Sequence, residues 1–236
     1  MISVCVATFN GARFVSSQLQ SILPQLADGD ELIVSDDGST DATREIVRCM
    51  GDSRIVLIDG PRVGLIRNFE HALGQARGDA IFLCDQDDVW LPQKVQHMTQ
   101  ALEEVDLVVS DCRVVDDALN ELHPSFFRLN GSRAGLLRNL SKNSYLGCCM
   151  AIRRQVLTAA LPFPQNIAMH DWWIGLVVEC TGRVRFLNEP LSLYRRHGGN
   201  ASPATLRSTV PLTTRLRWRM DMARYLLVRR LWDYAD

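Results

Sequence analysis

Five short apolar runs recur along the first half of the chain, and a stretch with helical spacing separates each from the next. The runs are "ISVCVAT" (2–8), "ELIVS" (31–35), "RIVLID" (54–59), "AIFLC" (80–84) and "DLVVS" (106–110). Between them lie "ARFVSSQLQSIL" (12–23), "DATREIVRCM" (41–50), "LIRNFEHALGQA" (65–76) and "PQKVQHMTQALEEV" (92–105). Strands this uniformly apolar are buried on both faces, which predicts an α/β fold with a mostly parallel sheet flanked by helices. Ser39 or Thr40 is placed to cap the second helix, and Pro92 falls in the first turn of the fourth. In such sheets ligands bind at the carboxyl ends of the strands.

Beyond residue 112 the alternation weakens. Residues 116–146 read as a loop-rich insertion, "GCCMAIRR" (147–154) as a strand, and "HDWWIGLVVECTG" (170–182) as a helix. "RVRFLNEPLSLYRRH" (183–197) reads as two short strands around Glu189 and Pro190. The seven cysteines include no CxxC pair, so they are expected to be reduced thiols packed as small hydrophobes rather than a zinc or redox centre. That usage, with no charged leader before "MISVCVATFNG", predicts a cytoplasmic protein. No run reaches the roughly 20 apolar residues of a membrane span. A formal net charge of −1 offers no field to recruit nucleic acid.

The fourth apolar run ends in "FLCDQDDVW" (82–90), where Asp85, Asp87 and Asp88 crowd together. Clustered carboxylates repel one another unless a cation sits among them, and hard oxygen ligands suit Mg²⁺ or Mn²⁺. The plainer alternative is an acidic turn that favours the start of the next helix. Two more polar loops end at the same sheet edge: "TFNG" after the first run and "SDDGSTD" after the second. Asp36 is placed to accept hydrogen bonds from a base or ribose, with Thr8, Phe9 and Asn10 as the opposite wall. A nucleotide bound there would aim its phosphates at the acidic cluster. Neither GxGxxG nor GxxxxGK[ST] occurs, which disfavours dinucleotide binding and a P-loop.

Taken together, "VATFNG", "IVSDDGSTD", "RNFEHAL", "GDAIFLCDQDDVW", "HDWW" and "YRRHGGN" resemble family 2 glycosyltransferases of the GT-A fold, over about residues 1–200. The last three motifs most resemble bacterial rhamnosyltransferase-like enzymes of surface-polysaccharide assembly. The resemblance implies a Rossmann-like nucleotide-binding half (1–112), an acceptor half (113–200), a nucleotide-diphosphate-sugar donor, a divalent cation (Mn²⁺ or Mg²⁺) and inversion at the anomeric carbon. It implies a glycan or lipid-linked acceptor. By position, Thr8, Asn10 and Asp36 match nucleotide-binding residues, and Arg67 a basic residue on the nucleotide side. Asp85 and Asp87 match the paired acids, with Asp87 or Asp88 touching the metal. Asp171 matches the general base; His197, with Arg195 or Arg196 beside it, matches a position near the diphosphate and metal.

Chemistry supports the Asp171 assignment separately. Inverting transfer needs a base within reach of the acceptor hydroxyl. Trp172 and Trp173 would raise the carboxyl's pKa by desolvation and offer a stacking floor for a sugar. Capping the helix is the simpler role for Asp171. A nucleotidyltransferase would need a Gly-rich basic loop after the first strand, where "TFNGARF" has one Gly and one Arg. A non-catalytic nucleotide-sugar-binding module is the other alternative.

Residues 201–236 form a basic tail, with seven arginines against three aspartates. Leu212, Leu216, Met220, Ala223, Leu227 and Leu231 recur at helical spacing. Such a helix either lies on an anionic inner membrane face or packs on the domain with its arginines in water. Trp218 and Trp232 fall off this stripe.

Overall fold

The structure is a computed structural model that describes residues 1–197 and 210–232, with side chains described to residue 228 within the last helix. Most of the polar segment that joins the tail to the domain, and the side chains of Leu231 and Trp232, lie outside the described residues.

In chain order the elements are β1 (Ile2–Thr8), α1 (Val15–Ile22), β2 (Glu31–Asp36), α2 (Thr43–Cys49), β3 (Ile55–Asp59), α3 (Leu65–Gln75), β4 (Ala80–Asp85), β5 (Val89–Trp90), α4 (Lys94–Leu102), β6 (Leu107–Val115) and β7 (Glu121–His123). They continue with α5 (Phe126–Asn130), α6 (Leu136–Ser141), β8 (Met150–Arg153), α7 (Gln155–Ala160), α8 (His170–Thr181), β9 (Val184–Arg195) and α9 (Leu212–Trp232). One sheet runs in the order β3-β2-β1-β4-β8-β6-β9-β5, with β7 on the outer part of β6. Strands β3, β2, β1 and β4 are parallel, as are β6 and β9. Strand β8 runs antiparallel between β4 and β6, and β5 antiparallel beside β9.

Side-chain alternation divides the core into two layers. Ile81 and Leu83 of β4 join Phe69, Leu73 and Trp173 on one face. Phe82 and Cys84 join Leu19, Ile22 and Met98 on the other. Each layer needs one covering set of helices, which is why successive strand residues are all apolar.

The α/β reading and the parallel order hold, while several boundaries move. The 183–197 segment holds one strand, Val184–Arg195, not two, because β9 continues past Pro190 through a shift of register against β6 near Asp111. Proline cannot donate to the ladder, and the irregularity absorbs it. Residues 147–149 form a 3₁₀ turn before β8, and 116–146 contain β7, α5 and α6. Neither Ser39 nor Thr40 caps α2, which has Ala42 at its N-cap position; Ser39 Oγ donates to Asp36 instead. Pro92 precedes α4, whose N-cap position is Gln93 in the left-handed region at φ 71°. All seven cysteines are free thiols.

Candidate active site

The loops after β1, β2 and β4 leave the sheet along a single edge, and a cavity of about 430 Å³ opens beneath them. Thr8, Phe9, Asp85 and Asp87 line it from two strand-end loops, Asp37 and Arg62 from the side, and Gly147, His170 and Asp171 from across the cleft. Parallel register makes this convergence: Thr8 lies opposite Asp36, and Ala7 opposite Asp85.

Gln86 clamps the first loop to the third. Its side-chain amide accepts from Phe9 N at 2.9 Å and donates to Phe9 O at 3.0 Å. The Phe9 ring is left 55% exposed on the cavity rim. Asn10 is exposed, and its Oδ1 accepts from Thr40 N at 2.8 Å, tying the first loop to the second. Asp36 is fully committed inside the protein. It is buried, and its carboxylate accepts from Thr8 Oγ1 at 3.0 Å, Ser39 N at 2.9 Å, Ser39 Oγ at 2.6 Å and Arg44 Nη1 at 3.2 Å. Burial would raise its pKa, but the bonds from Ser39, Thr8 and Arg44 win and hold it below the usual carboxylate value. The acid in the cavity wall is Asp37, whose two oxygens take Arg62 N at 2.6 Å and Gly64 N at 2.8 Å.

Arg67 corrects a second sequence expectation. Its guanidinium faces away from the cavity, to Glu70 Oε2 at 2.5 Å and to the carbonyls of Phe163 and Pro164 at 2.9 and 3.3 Å. The cation on the cavity wall is Arg62, held by a turn in which its own φ is 61° and that of Gly64 is 98°. "GPRVG" signals that turn in the sequence, but nothing in the chain order shows which arginine turns inward.

The acidic loop splits into two groups. Asp85, Asp88 and Cys148 bring one ligand atom each to within 4.8 Å of one another. Asp88 turns back from the cavity: one oxygen accepts from Arg195 N at 2.9 Å and the other is buried with no hydrogen-bond partner. Burial, and then the neighbouring Asp87 charge, push Asp88 up to about 8. Burial, then Asp87, Asp88 and Asp171, push Asp85 well above the usual value. Asp87 faces the cavity, with Oδ2 at 2.8 Å from His197 Nε2. The guanidinium of Arg195 lies against the same loop. It braces the loop by donating to the carbonyls of Asp87 and Asp117 at 2.8 and 2.5 Å. Arg196 lies over the Tyr194 ring at 5.7 Å, beside the cavity that Tyr194 lines.

The residues present fit a divalent cation. Among the described residues no Lys or Arg pairs with Asp85 or Asp88, and an orphaned carboxylate oxygen remains in a buried cluster. Such an arrangement is costly without a counter-charge. Cys148 was read from sequence as a packed thiol; its place against Asp85 and Asp88 is visible only in three dimensions, and its soft sulfur suits Mn²⁺ better than Mg²⁺.

Asp171 stands in the first turn of α8 and is buried. Its oxygens accept from Gly147 N at 3.1 Å and Trp172 N at 2.5 Å. Burial pushes its pKa up to about 6, although these backbone bonds pull the other way. The tryptophans do not form a sugar floor. Trp173 is fully buried with Nε1 donating to Ala160 O at 2.9 Å, and Trp172 Nε1 donates to Asn139 O at 2.6 Å. Both rings pack within the core, and neither lines the cavity. His170 is the wall residue that sequence reasoning passed over. Its ring stacks on Phe69 at 3.9 Å, both nitrogens lack partners, and burial lowers its pKa to about 3.

A family model described as Glycosyl transferase family 2 matches residues 3–160. The chain belongs to this family. An uncharacterised glycosyltransferase of Nostoc is 26% identical over 212 residues, covering 84% of the chain and 66% of the relative. An Escherichia coli glucosyltransferase, named for UDP-Glc and GlcNAc-diphosphoundecaprenol, is 24% identical and covers 80% of the chain and 73% of its own length. The family 2 chain therefore spans about two-thirds of these relatives. Among solved structures, Staphylococcus aureus TarS with UDP-GlcNAc superposes with a TM-score of 0.72 at 20% identity, over 97% of this chain and 66% of that one. Glucosyl-3-phosphoglycerate synthase of Mycobacterium tuberculosis, with Mn²⁺, UDP and phosphoglyceric acid, gives 0.61 at 23% identity, over 97% and 78%. This family 2 chain thus shares the GT-A fold of both.

Proposed function

We propose that the protein transfers a sugar, with inversion, from a nucleoside-diphosphate donor to a hydroxyl of a glycan or lipid-linked acceptor in cell-surface polysaccharide synthesis. The observation that carries this is Asp171. It is a buried carboxylate with a pKa near 6, set in the same cavity wall system as Asp85 and Asp87. At neutral pH Asp171 is ionised and can take the proton of an attacking hydroxyl, while its basicity exceeds that of an ordinary aspartate. Gly147 N and Trp172 N fix the carboxylate's orientation, so that little reorganisation is needed at the moment of transfer. On the donor side, the exposed face of Phe9 suits a base, Thr8 and Asp37 line the same wall, and Arg62 brings positive charge. Asp85, Asp87 and Asp88, with Cys148 and His197 beside them, are the residues that would hold a divalent cation. When bound, it would supply charge that stabilises the leaving nucleoside diphosphate.

Support for the donor class comes from the neighbours that hold UDP-GlcNAc or UDP, and for Mn²⁺ from the synthase. The E. coli relative's diphosphoundecaprenol substrate supports a lipid-linked acceptor. The motif wording makes nucleotide-linked rhamnose the first donor to try beside UDP-sugars. A thermal-shift panel of nucleotide sugars, with and without Mn²⁺, tests the reading. One donor class should stabilise only with metal, by about 2.7 kcal/mol at 100 times its dissociation constant. No shift with any nucleotide sugar would overturn it.

A further inference from the structure

Helix α9 carries two apolar faces, and the fold uses one. At about 100° per residue, Trp218, Met222, Tyr225 and Leu226 share a side that packs on the core, with Met222 wholly buried. Tyr225 lies edge-on to Trp173 with ring centroids 6.4 Å apart. Arg219 sits over the Trp172 ring at 5.7 Å and donates to Ser141 O at 2.5 Å. These contacts secure the helix against α8 and α6.

Leu212, Leu216, Met220 and Leu227 form the other stripe, roughly 140° around the helix. They are 65%, 49%, 65% and 65% exposed. The stripe that the sequence singles out is therefore the one the domain leaves in solvent, and folding does not account for it. Along its edge stand Arg217 and Arg224, both exposed. Arg217 reaches Asp221 only at 3.8 Å, and Arg224 makes no ion pair among the described residues. A two-fold pairing with a second copy would set these arginines against their own kind, with Asp221 as the sole nearby acid. Apolar side chains flanked by cations instead match the boundary between acyl chains and anionic headgroups. No helix among the described residues is long and apolar enough to cross a membrane, so a lipid contact by α9 would run along the surface.

We propose that the outer face of α9 docks on an anionic lipid surface, with Leu212, Leu216, Met220 and Leu227 entering the acyl boundary and Arg217 and Arg224 at the headgroups. Because the inner face packs on α8, whose first turn carries Asp171, docking places the acceptor side one packing layer from the lipid. Binding is read without turnover, so it stands or falls separately from the proposed reaction.

The full chain is floated with vesicles of phosphatidylcholine, alone or with one-third phosphatidylglycerol. Wild type should float with the anionic vesicles and stay behind with the neutral ones. L216E/L227E should lower the bound fraction at least tenfold while the melting temperature and nucleotide binding hold. If that variant fails to fold, M220Q/L227Q gives the same readout. Three results would overturn the proposal: wild type remaining at the bottom with anionic vesicles, the variant floating as well as wild type, or a concentration-dependent dimer that L216E/L227E converts to monomer.

Discussion

The main-chain N–H of Gly147 donates to Asp171 Oδ2 at 3.1 Å, joining the turn before β8 to the first turn of α8. An added Cβ at Gly147 would lie 2.9 Å from His170 Nε2 and 3.5 Å from Asp171 Cβ. Residue 147 must therefore lack a side chain for His170 and the Asp171 carboxylate to sit where they do. His170 cannot yield, because Phe69 is stacked behind it. G147A should cost about 1–3 kcal/mol of stability by overpacking. It should also lower kcat tenfold or more, with donor affinity within twofold of wild type. Unchanged kcat would show that the base is not held by this contact.

Asp171→Asn separates binding from chemistry. Transfer should fall by about 10²–10⁴-fold with donor affinity retained. In wild type, kcat/KM should rise with pH through about 6, as the carboxylate ionises. A flat acid limb, or full turnover in D171N, would remove Asp171 as base.

The same group predicts a stability effect of opposite sign. Its folded pKa is raised from 3.8 to about 6, so its favourable contribution is complete below about 4 and lost as pH rises through 6. D171N should then melt higher than wild type at pH 7.5, by up to about 3 kcal/mol, with the gap closing toward pH 4. Melting curves across that range check it, and a gap independent of pH would contradict it.

Mn²⁺ should raise the melting temperature of wild type by several degrees, since about 1 kcal/mol moves a chain of this size by roughly 2–4 °C. Protons compete for the cluster, because burial and Asp87 push Asp88 up to about 8. The shift should be larger at pH 8 than at pH 6, and absent in D85N/D87N. An equal shift in that variant would place the cation elsewhere.

Arg62 and Arg67 should respond differently to truncation. R62A should weaken donor binding about tenfold with little change in melting, as its side chain is exposed on the cavity wall. R67A should lower stability by about 1–2 kcal/mol and leave donor affinity within twofold, as its donors hold Glu70 and the 163–164 carbonyls. The reverse pattern would restore Arg67 to the nucleotide side.

Several elements were legible in the chain because local rules decide them. The strands 2–8, 31–36 and 80–85 carry continuous apolar runs, which only a doubly covered sheet can bury, and 55–59 extends the same sheet at its edge. Once they are parallel, the loops holding Thr8, Asp37 and Asp85 must share an edge. The composition of "CDQDD" and "HDWW" shows that charged chemistry gathers there. Order along the chain also places Asp171 at a helix start.

Tertiary structure decided which neighbour faces the cavity. Asp36 or Asp37, Arg62 or Arg67, His170 or the two tryptophans, and either stripe of α9 are choices between residues that sequence patterning treats alike. They differ only in what packs against them: Arg44 and Ser39 saturate Asp36, Glu70 takes Arg67, and the core takes Trp173 and Met222. Local preference acts over a few residues, whereas burial and hydrogen-bond saturation come from partners tens of residues away. That is why the sequence by itself determined the sheet and the edge that holds the site, and only the folded chain determined which side chains point into it.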